Sequence, residues 1–385
     1  MTFGAASALF GAAGLVYGFV RDLPQAIHSY WFAYLTVFTT IIGALFVLMI
    51  LNSASAKWFV PLRRSCEHVV GAFPLIVAAV APMLVFLEEL YPWTRPQALT
   101  GDVRDAVVKK LWWLDRSFFT WRSILYLVVI GAFIELLRRW SLQQDAAKDQ
   151  VSAEALRTKM VRTSVVGLMV CALTVTLASF DWVMSLSPAW WSDLFGVYVF
   201  AGGMVAAFGL LGGIAVHGRR RRWLPEEIGP SHFHALGRLQ LTFVIFWAYI
   251  GYVHVNLQWL ANLPLEAIWW LPRWSGGWGW VGVALIVLHF GLPFLALLSR
   301  ELKRRAAPFF GVSAWLVVVH LVDVYYLVLP ELHERGLRPH WLDPLALMAL
   351  LGATLGFGAW RAGDGAAVPI GDPLLVEGLG YESAS

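Results

Sequence analysis

Ten apolar runs of about the length that crosses a bilayer's hydrocarbon core punctuate the chain: 3–20, 29–51, 67–88, 118–139, 161–182, 194–216, 236–257, 278–298, 309–329 and 342–360. An apolar helix of roughly 20 residues spans that core. The pattern therefore predicts an all-α integral membrane protein of about ten transmembrane helices. The first run lacks the basic flank and small-residue cleavage site of a signal peptide, because Arg21-Asp22-Leu23-Pro24 follows it, and it is read as a retained helix. Two connections carry patterns of their own. Residues 102–114 place Val103, Ala106, Val107, Leu111 and Leu114 on one helical face, as in a helix lying on the membrane surface. Residues 141–160 are polar and read as helical. The stretch after Arg361 shows no periodicity and reads as an extended arm on a neighbour or as disorder.

Composition sharpens this. Of the 385 residues 59% are hydrophobic and 14% charged, well below the roughly 25% charged of soluble domains. Two cysteines, Cys66 and Cys171, exclude a disulfide scaffold, and no C-x-x-C-H is present to attach haem c. Two thiols cannot hold an iron–sulfur cluster by themselves.

Charge sets orientation. The connections after spans 2, 4, 6 and 8, with the C-terminal tail, hold 19 of the 29 Lys and Arg residues, including the run Arg219-Arg220-Arg221-Arg222. The positive-inside rule then places both termini in the cytoplasm, and the basic runs read as topology signals beside anionic lipid rather than nucleic-acid sites. Tryptophan shows the opposite bias. Fifteen of 21 fall at the other ends of the spans, among them Trp112, Trp113, Trp190, Trp191, Trp269 and Trp270. Such an excess fits either an uneven aromatic belt or a face covered by partner subunits.

An internal repeat underlies the order of the spans. Phe133-Ile134-Glu135-Leu136-Leu137-Arg138-Arg139 at the end of span 4 is matched by Phe294-Leu295-Ala296-Leu297-Leu298-Ser299-Arg300 at the end of span 8. A Trp-Trp-Leu precedes each, at 112–114 and 269–271, and Asp181 and Asp323 each precede a proline by seven residues. Spans 2–5 and 6–9 thus read as two four-helix bundles in the same orientation. The predicted organisation is a flanking span and loop over 1–28, one bundle over 29–188, a second over 189–335, and a last span with its tail over 336–385.

Ionisable side chains within lipid are costly and are functional candidates. At 1.5 Å of rise per residue, His289 and His320 lie near the midplane, with Asp323 one turn from His320 on the same face. Asp181 sits near the outer boundary of span 5, Arg122 just inside the outer end of span 4, and His254 near the end of span 7 on that side. Glu67, His68 and Glu135 lie near the cytoplasmic ends of spans 3 and 4, and His232 and His234 at that end of span 7. Three readings compete: paired imidazoles on a b-type haem, a proton relay or quinone site, and a structural role for each group, with Pro293 freeing a carbonyl near His289.

Several runs then resemble a known family. These are Ser179-Phe180-Asp181-Trp182-Val183-Met184-Ser185-Leu186, Phe195-Gly196-Val197-Tyr198, His232-Phe233-His234-Ala235-Leu236-Gly237-Arg238, Phe246-Trp247-Ala248-Tyr249-Ile250, His289-Phe290-Gly291-Leu292-Pro293-Phe294 and His320-Leu321-Val322-Asp323. Together they resemble the second large membrane subunit of bacterial alternative complex III, a quinol:cytochrome c oxidoreductase, within the wider family of polysulfide- and nitrite-reductase membrane anchors called NrfD-like. The resemblance implies a bacterial inner-membrane subunit, not catalytic alone, that contributes quinone handling, transmembrane proton conduction or both. It implies a sister membrane subunit, a periplasmic iron–sulfur subunit, haem c subunits, small membrane subunits and lipids as partners. Haem and iron–sulfur clusters are then expected only in those partners, with no covalent cofactor and no metal here.

Carried over residue by residue, the resemblance assigns Asp181, His289, His320 and Asp323 to a polar proton or quinone pathway. His254 is not matched to the family and is a weak quinone candidate from its place near the end of span 7 alone. Glu67, His68, Glu135, His232 and His234 are candidates for proton entry, and Arg122 is expected to pair with a carboxylate. A purely structural anchor and an ion-coupled transporter remain as alternatives. Transporters generally break their helices at the site, whereas few of these spans read as interrupted.

Overall fold

The computed structural model describes residues 2–363 and 365–383. Ten helices among them are long and apolar enough to cross a membrane: Gly4–Arg21, Leu23–Ser53, Lys57–Val85, Arg116–Asp145, Gln150–Leu186, Phe195–Arg220, Pro230–Ala261, Trp278–Leu298, Ala306–Glu331 and Leu342–Ala362, hereafter spans 1 to 10. No strand occurs among the described residues. The chain is an all-α, multi-pass membrane protein. Its two ends are called here the basic end, where spans 2, 4, 6 and 8 finish, and the tryptophan-rich end.

Local chemistry fixes several boundaries. Asp22, Asp115 and Asp149 each accept a backbone N–H three residues on, from Gln25, Phe118 and Ser152, and so cap spans 2, 4 and 5. The polar stretch 141–160 is helical on both sides of a break at residues 146–149, which Asp149 closes. The surface segment 102–114 is helical only over Gly101–Val108; its apolar face still turns inward, with Val107 and Leu114 buried.

Interruptions are more frequent than the apolar runs suggest. Span 3 consists of successive helical pieces, Val60–Val70, Phe73–Ala79 and Ala81–Val85, each with a proline in its first turn. A proline has no N–H to donate to the preceding turn, so each one starts a new segment. Span 8 contains a π-helical stretch, Ile286–Gly291, just before Pro293. The Leu288 carbonyl, which in that register would face the missing N–H of Pro293, instead accepts the Trp315 indole N–H at 2.8 Å.

Spans 2 and 6 pack on each other at the centre. Of the most apolar stretch of span 2, 89% is buried within the protein, against 22% for span 8. Glycine makes the approach possible. A Cβ at Gly43 would overlap the Gly203 backbone, and one at Gly203 would lie 2.6 Å from the Thr39 carbonyl oxygen. Spans 1 and 10 form a separate pair at the flank, where Gly11 of span 1 abuts the backbone of Ala349 and Gly352 of span 10 abuts Ala8.

The tail is neither an arm on a neighbour nor disordered over its described residues. It folds back over the basic end of its own chain. Asp372 pairs with the buried Arg63, which also donates to Gln144 Oε1 at 2.8 Å. The short helix Leu375–Leu379 sits with Gly378 against Lys57 and Pro61, and Glu377 pairs with Lys57. Two acidic residues of the tail are thus counter-charges to cations of span 3, Asp372 to the buried Arg63 and Glu377 to the exposed Lys57. A buried guanidinium requires such a partner.

Candidate functional site

Three polar clusters in the interior hold most of the candidate residues. The first is built around Asp181, at the last turn of the helix in span 5. Its Oδ1 accepts from Trp113 Nε1 (2.8 Å) and Arg122 Nη2 (3.0 Å), and its Oδ2 from Arg122 Nε (2.8 Å) and the Tyr126 hydroxyl (2.8 Å). All four acceptor positions of the carboxylate are used. Arg122 also donates to the Trp113 carbonyl, and its guanidinium lies 4.0 Å from the Trp113 ring centroid. This is a closed, charge-neutral unit, and Arg122 has the carboxylate partner expected for it.

The second cluster joins His289, His320 and Asp323, all 2% exposed or less. Asp323 Oδ1 accepts from the Tyr198 hydroxyl at 2.6 Å and Oδ2 from Trp247 Nε1 at 3.1 Å. No cation pairs with it among the described residues. The His289 ring packs on Trp247 with centroids 4.0 Å apart, and neither of its nitrogens has a hydrogen-bond partner. The carbonyl freed by Pro293 does not satisfy it, because Trp315 takes that carbonyl. His320 Nε2 shares a hydrogen bond with Thr39 Oγ1 at 2.8 Å, while its Nδ1 is unpartnered. Gly202 of span 6 lets the pair close up: a Cβ there would lie 3.1 Å from Asp323 Oδ2 and 3.3 Å from His320 Nδ1. The structure thus brings together three of the four midplane and outer candidates and leaves Asp181 elsewhere.

The two carboxylates occupy matching places in the repeat but differ in charge environment. An arginine stacks on the repeated Trp-Trp-Leu motif in each copy: Arg122 on Trp113, and Arg273 on Trp269 at 3.6 Å. In the first copy the arginine meets Asp181. In the second, Arg273 is drawn to Glu331 (2.9 Å) and the Leu327 carbonyl (2.9 Å), which leaves Asp323 to neutral donors alone. Burial pushes the Arg273 guanidinium down from its ordinary value, and Glu331 opposes that shift.

Beside the second cluster, on the tryptophan-rich side, lies an apolar cavity of about 610 Å³ between spans 7 and 8, with the helix Pro264–Trp274 among its walls. Its walls include Tyr198, Trp247 and His254 on one side and Ile286 and Phe290 of the π-helical stretch on the other. Tyr249 and Tyr252 of span 7, which also line it, are exposed on the protein's outside, so the cavity faces the lipid. His254 stacks on Trp190 (5.3 Å) and Trp269 (5.9 Å), and its Nε2 lies 3.2 Å from Gln258 Nε2. Gln258 in turn accepts from Trp270 Nε1. Aromatic walls with a few convergent polar groups are the usual makeup of a small-molecule site.

The third cluster lies at the basic end. Glu67 forms an ion pair with Arg63, whose Nε lies 3.1 Å from Oε1, and accepts from Arg64 Nη1 (2.6 Å); Arg64 also pairs with Asp145. Glu135 pairs with Arg361. His232 is fixed through both ring nitrogens, accepting from Gly229 N at 3.4 Å and bonding the tail carbonyl of Gly378 at 2.9 Å. His68 is half-buried, and His234 is buried with Nδ1 unpartnered. Of the five proton-entry candidates, then, Glu67, Glu135 and His232 are engaged in ion pairs or backbone bonds.

Sequence reading missed Tyr198 and Trp247, which look like ordinary aromatic core. It also missed Gln25, Ser29 and Asp343 at the tryptophan-rich end. Asp343 Oδ1 there accepts from Ser29 Oγ at 2.5 Å and from Gln25 Nε2 at 3.3 Å, tying span 10 to span 2. Among the described residues no group of three or more His, Cys, Asp and Glu side chains converges as a metal site would.

The fold and these clusters define a polytopic α-helical membrane protein with a lipid-facing cavity beside a buried carboxylate. No protein-family model matches the chain, and no curated protein matches it.

Proposed function

We propose that this chain is a membrane subunit of a respiratory quinol:cytochrome c oxidoreductase of the alternative complex III kind, sitting in the bacterial inner membrane with its basic end and both termini cytoplasmic. Within it, the chain handles quinol and conducts the protons that quinol oxidation releases. Its partners are the sister membrane subunit, the iron–sulfur and haem c subunits that take the electrons, and small membrane subunits.

One observation carries the reading. The lipid-facing cavity shares two wall residues, Tyr198 and Trp247, with the hydrogen-bond shell of Asp323. A quinol head group against His254 and Tyr198 would be two hydrogen bonds from Asp323, and its tail would leave over Tyr249 and Ile286 into lipid. His320 beside Asp323, and His289 behind Trp247, extend that polar line inward. An aromatic cavity with a hydrogen-bonding histidine at its wall suits a quinone ring.

The Asp181 cluster favours a structural role for that residue. Its charge is fully paired and its lone pairs are all occupied, so it contributes rigidity rather than a mobile proton.

A photoreactive ubiquinone or menaquinone analogue, irradiated with the protein in nanodiscs, tests the cavity. Labelled peptides should come from residues 245–290 and fade when unlabelled quinone competes. Labelling spread evenly over lipid-exposed helices, with no competition, defeats the proposal.

A further inference from the structure

We propose that a recess at the basic ends of spans 6 and 9 binds the anionic headgroup of a phospholipid. The site goes beyond the quinol reading and shares no residue with it. The recess has a volume of about 650 Å³ and is lined by His217, Arg219, Arg220 and Arg222 on one side and by Ala306 and Phe310 on the other. That size falls within the roughly 300–1,000 Å³ of small-molecule sites.

The charges there are uncommitted. At this end of the protein Arg63, Arg64, Arg157, Arg305 and Arg361 all pair with carboxylates. Arg219, Arg220 and Arg222 have no such partner among the described residues, and the recess holds a single acidic side chain, the exposed Glu226. Arg219 is half-buried, with its guanidinium 6.0 Å from the Phe233 ring centroid, so one cation is held in place while the exposed Arg220 and Arg222 close over a ligand.

The opposite wall decides the kind of ligand. Ala306 and Phe310 begin span 9, and Phe310 is exposed one turn into the helix. The recess therefore grades from guanidinium groups to apolar helix surface over a single turn. A phosphodiester with acyl chains attached matches both halves, whereas a soluble phosphate uses only the first. Basic pockets between helices at the cytoplasmic boundary recognise anionic headgroups by this combination.

The test uses delipidated full-length protein in detergent, offered an equimolar mixture of dioleoyl phosphatidylglycerol and dioleoyl phosphatidylcholine, with bound lipid counted by native mass spectrometry. The wild type should retain phosphatidylglycerol preferentially. Arg219→Gln/Arg220→Gln/Arg222→Gln should cut that preference by about two orders of magnitude, roughly fivefold per guanidinium. A control with the same loss of charge, Arg139→Gln/Lys148→Gln/Arg300→Gln, should keep it. If the first triple variant does not survive extraction, Arg220→Gln/Arg222→Gln leaves the Arg219 contact with Phe233 intact and should still lower the preference by about thirtyfold. Inorganic phosphate in about tenfold excess should leave the lipid bound. An unchanged preference in the recess variants, an equal loss in the control, or displacement by phosphate alone overturns the proposal.

Discussion

The Tyr198 hydroxyl donates to Asp323 Oδ1 at 2.6 Å while the Tyr198 ring forms part of the cavity wall. Trp247 repeats the arrangement from the next span, donating to Oδ2 at 3.1 Å. Both donors to the carboxylate are thus wall residues of the cavity, and of the two the Tyr198 hydroxyl is the one that can pass a proton. Asp181, its counterpart in the repeat, is instead neutralised by Arg122.

That contrast predicts different outcomes for two equivalent substitutions. Asp323→Asn removes a titratable group but no ion pair. Quinol-driven turnover of the assembled complex should fall by about 10²-fold, within the range for loss of a positioned acid or base, with assembly intact. Asp181→Asn leaves Arg122 buried and unpaired, at about 3–5 kcal/mol. It should lower the yield of folded protein and the detergent melting temperature. Equal effects of both on turnover, with no change in stability, would contradict the division of roles.

At the crossing of spans 2 and 6, Gly43→Ala and Gly203→Ala each place a methyl group against backbone rather than against a yielding side chain. Either should destabilise the protein by about 1–3 kcal/mol, the usual cost of overpacking. Gly356→Ala, where a Cβ meets nothing within 4 Å, should be neutral. Thermal unfolding followed by tryptophan fluorescence in detergent distinguishes the three.

Detaching the tail should remove one of the two counter-charges of Arg63. Asp372→Ala strips Arg63 of one of its two carboxylate partners, leaving Glu67, and should cost about 1.5–3 kcal/mol, the range for a hydrogen bond to a charged group. Gly378→Ala keeps every charge yet drives a methyl group into Lys57 and Pro61. Both variants should make residues 365–383 accessible to limited proteolysis at the basic end. A tail as resistant as the wild type's in both would show that these contacts do not hold it.

At the tryptophan-rich end, burial pushes the His333 imidazole below its ordinary value of 6.5. Its carbonyl meanwhile holds Trp278 Nε1 at 3.0 Å. With the folded value below the unfolded one, the unfolded chain binds the proton more readily. The contribution of His333 to stability is therefore complete above about pH 6.5 and declines as pH falls toward the folded value. Protection of the amides of residues 331–341, taken relative to the intrinsic exchange rate at each pH, should fall between pH 7.5 and 5, and His333→Gln should flatten that dependence.

The spans were legible because each is a continuous apolar run, and burial in lipid or protein demands the same composition. The carboxylates and imidazoles stood out for the complementary reason, that a polar group in such a run is costly. Tyr198 and Trp247 did not, since an aromatic residue serves equally as packing or as a donor and only its neighbour decides which. The tail was misread because its meaning lies in a pairing 309 positions away, Arg63 with Asp372, and local periodicity carries no trace of it. The π-helical stretch in span 8 escaped notice for another reason: a register shift of one residue leaves the composition unchanged.

The seclusion of span 2 has a mechanical consequence. Variation in bilayer thickness or fluidity acts on helices that touch lipid, which tilt or bend to match it. Span 2 scarcely meets lipid, so such strain falls on the peripheral spans, and Thr39 on span 2 gives His320 of the half-buried span 9 a fixed partner. Span 2 thereby serves as a post against which the rim can tilt without moving the centre of the fold.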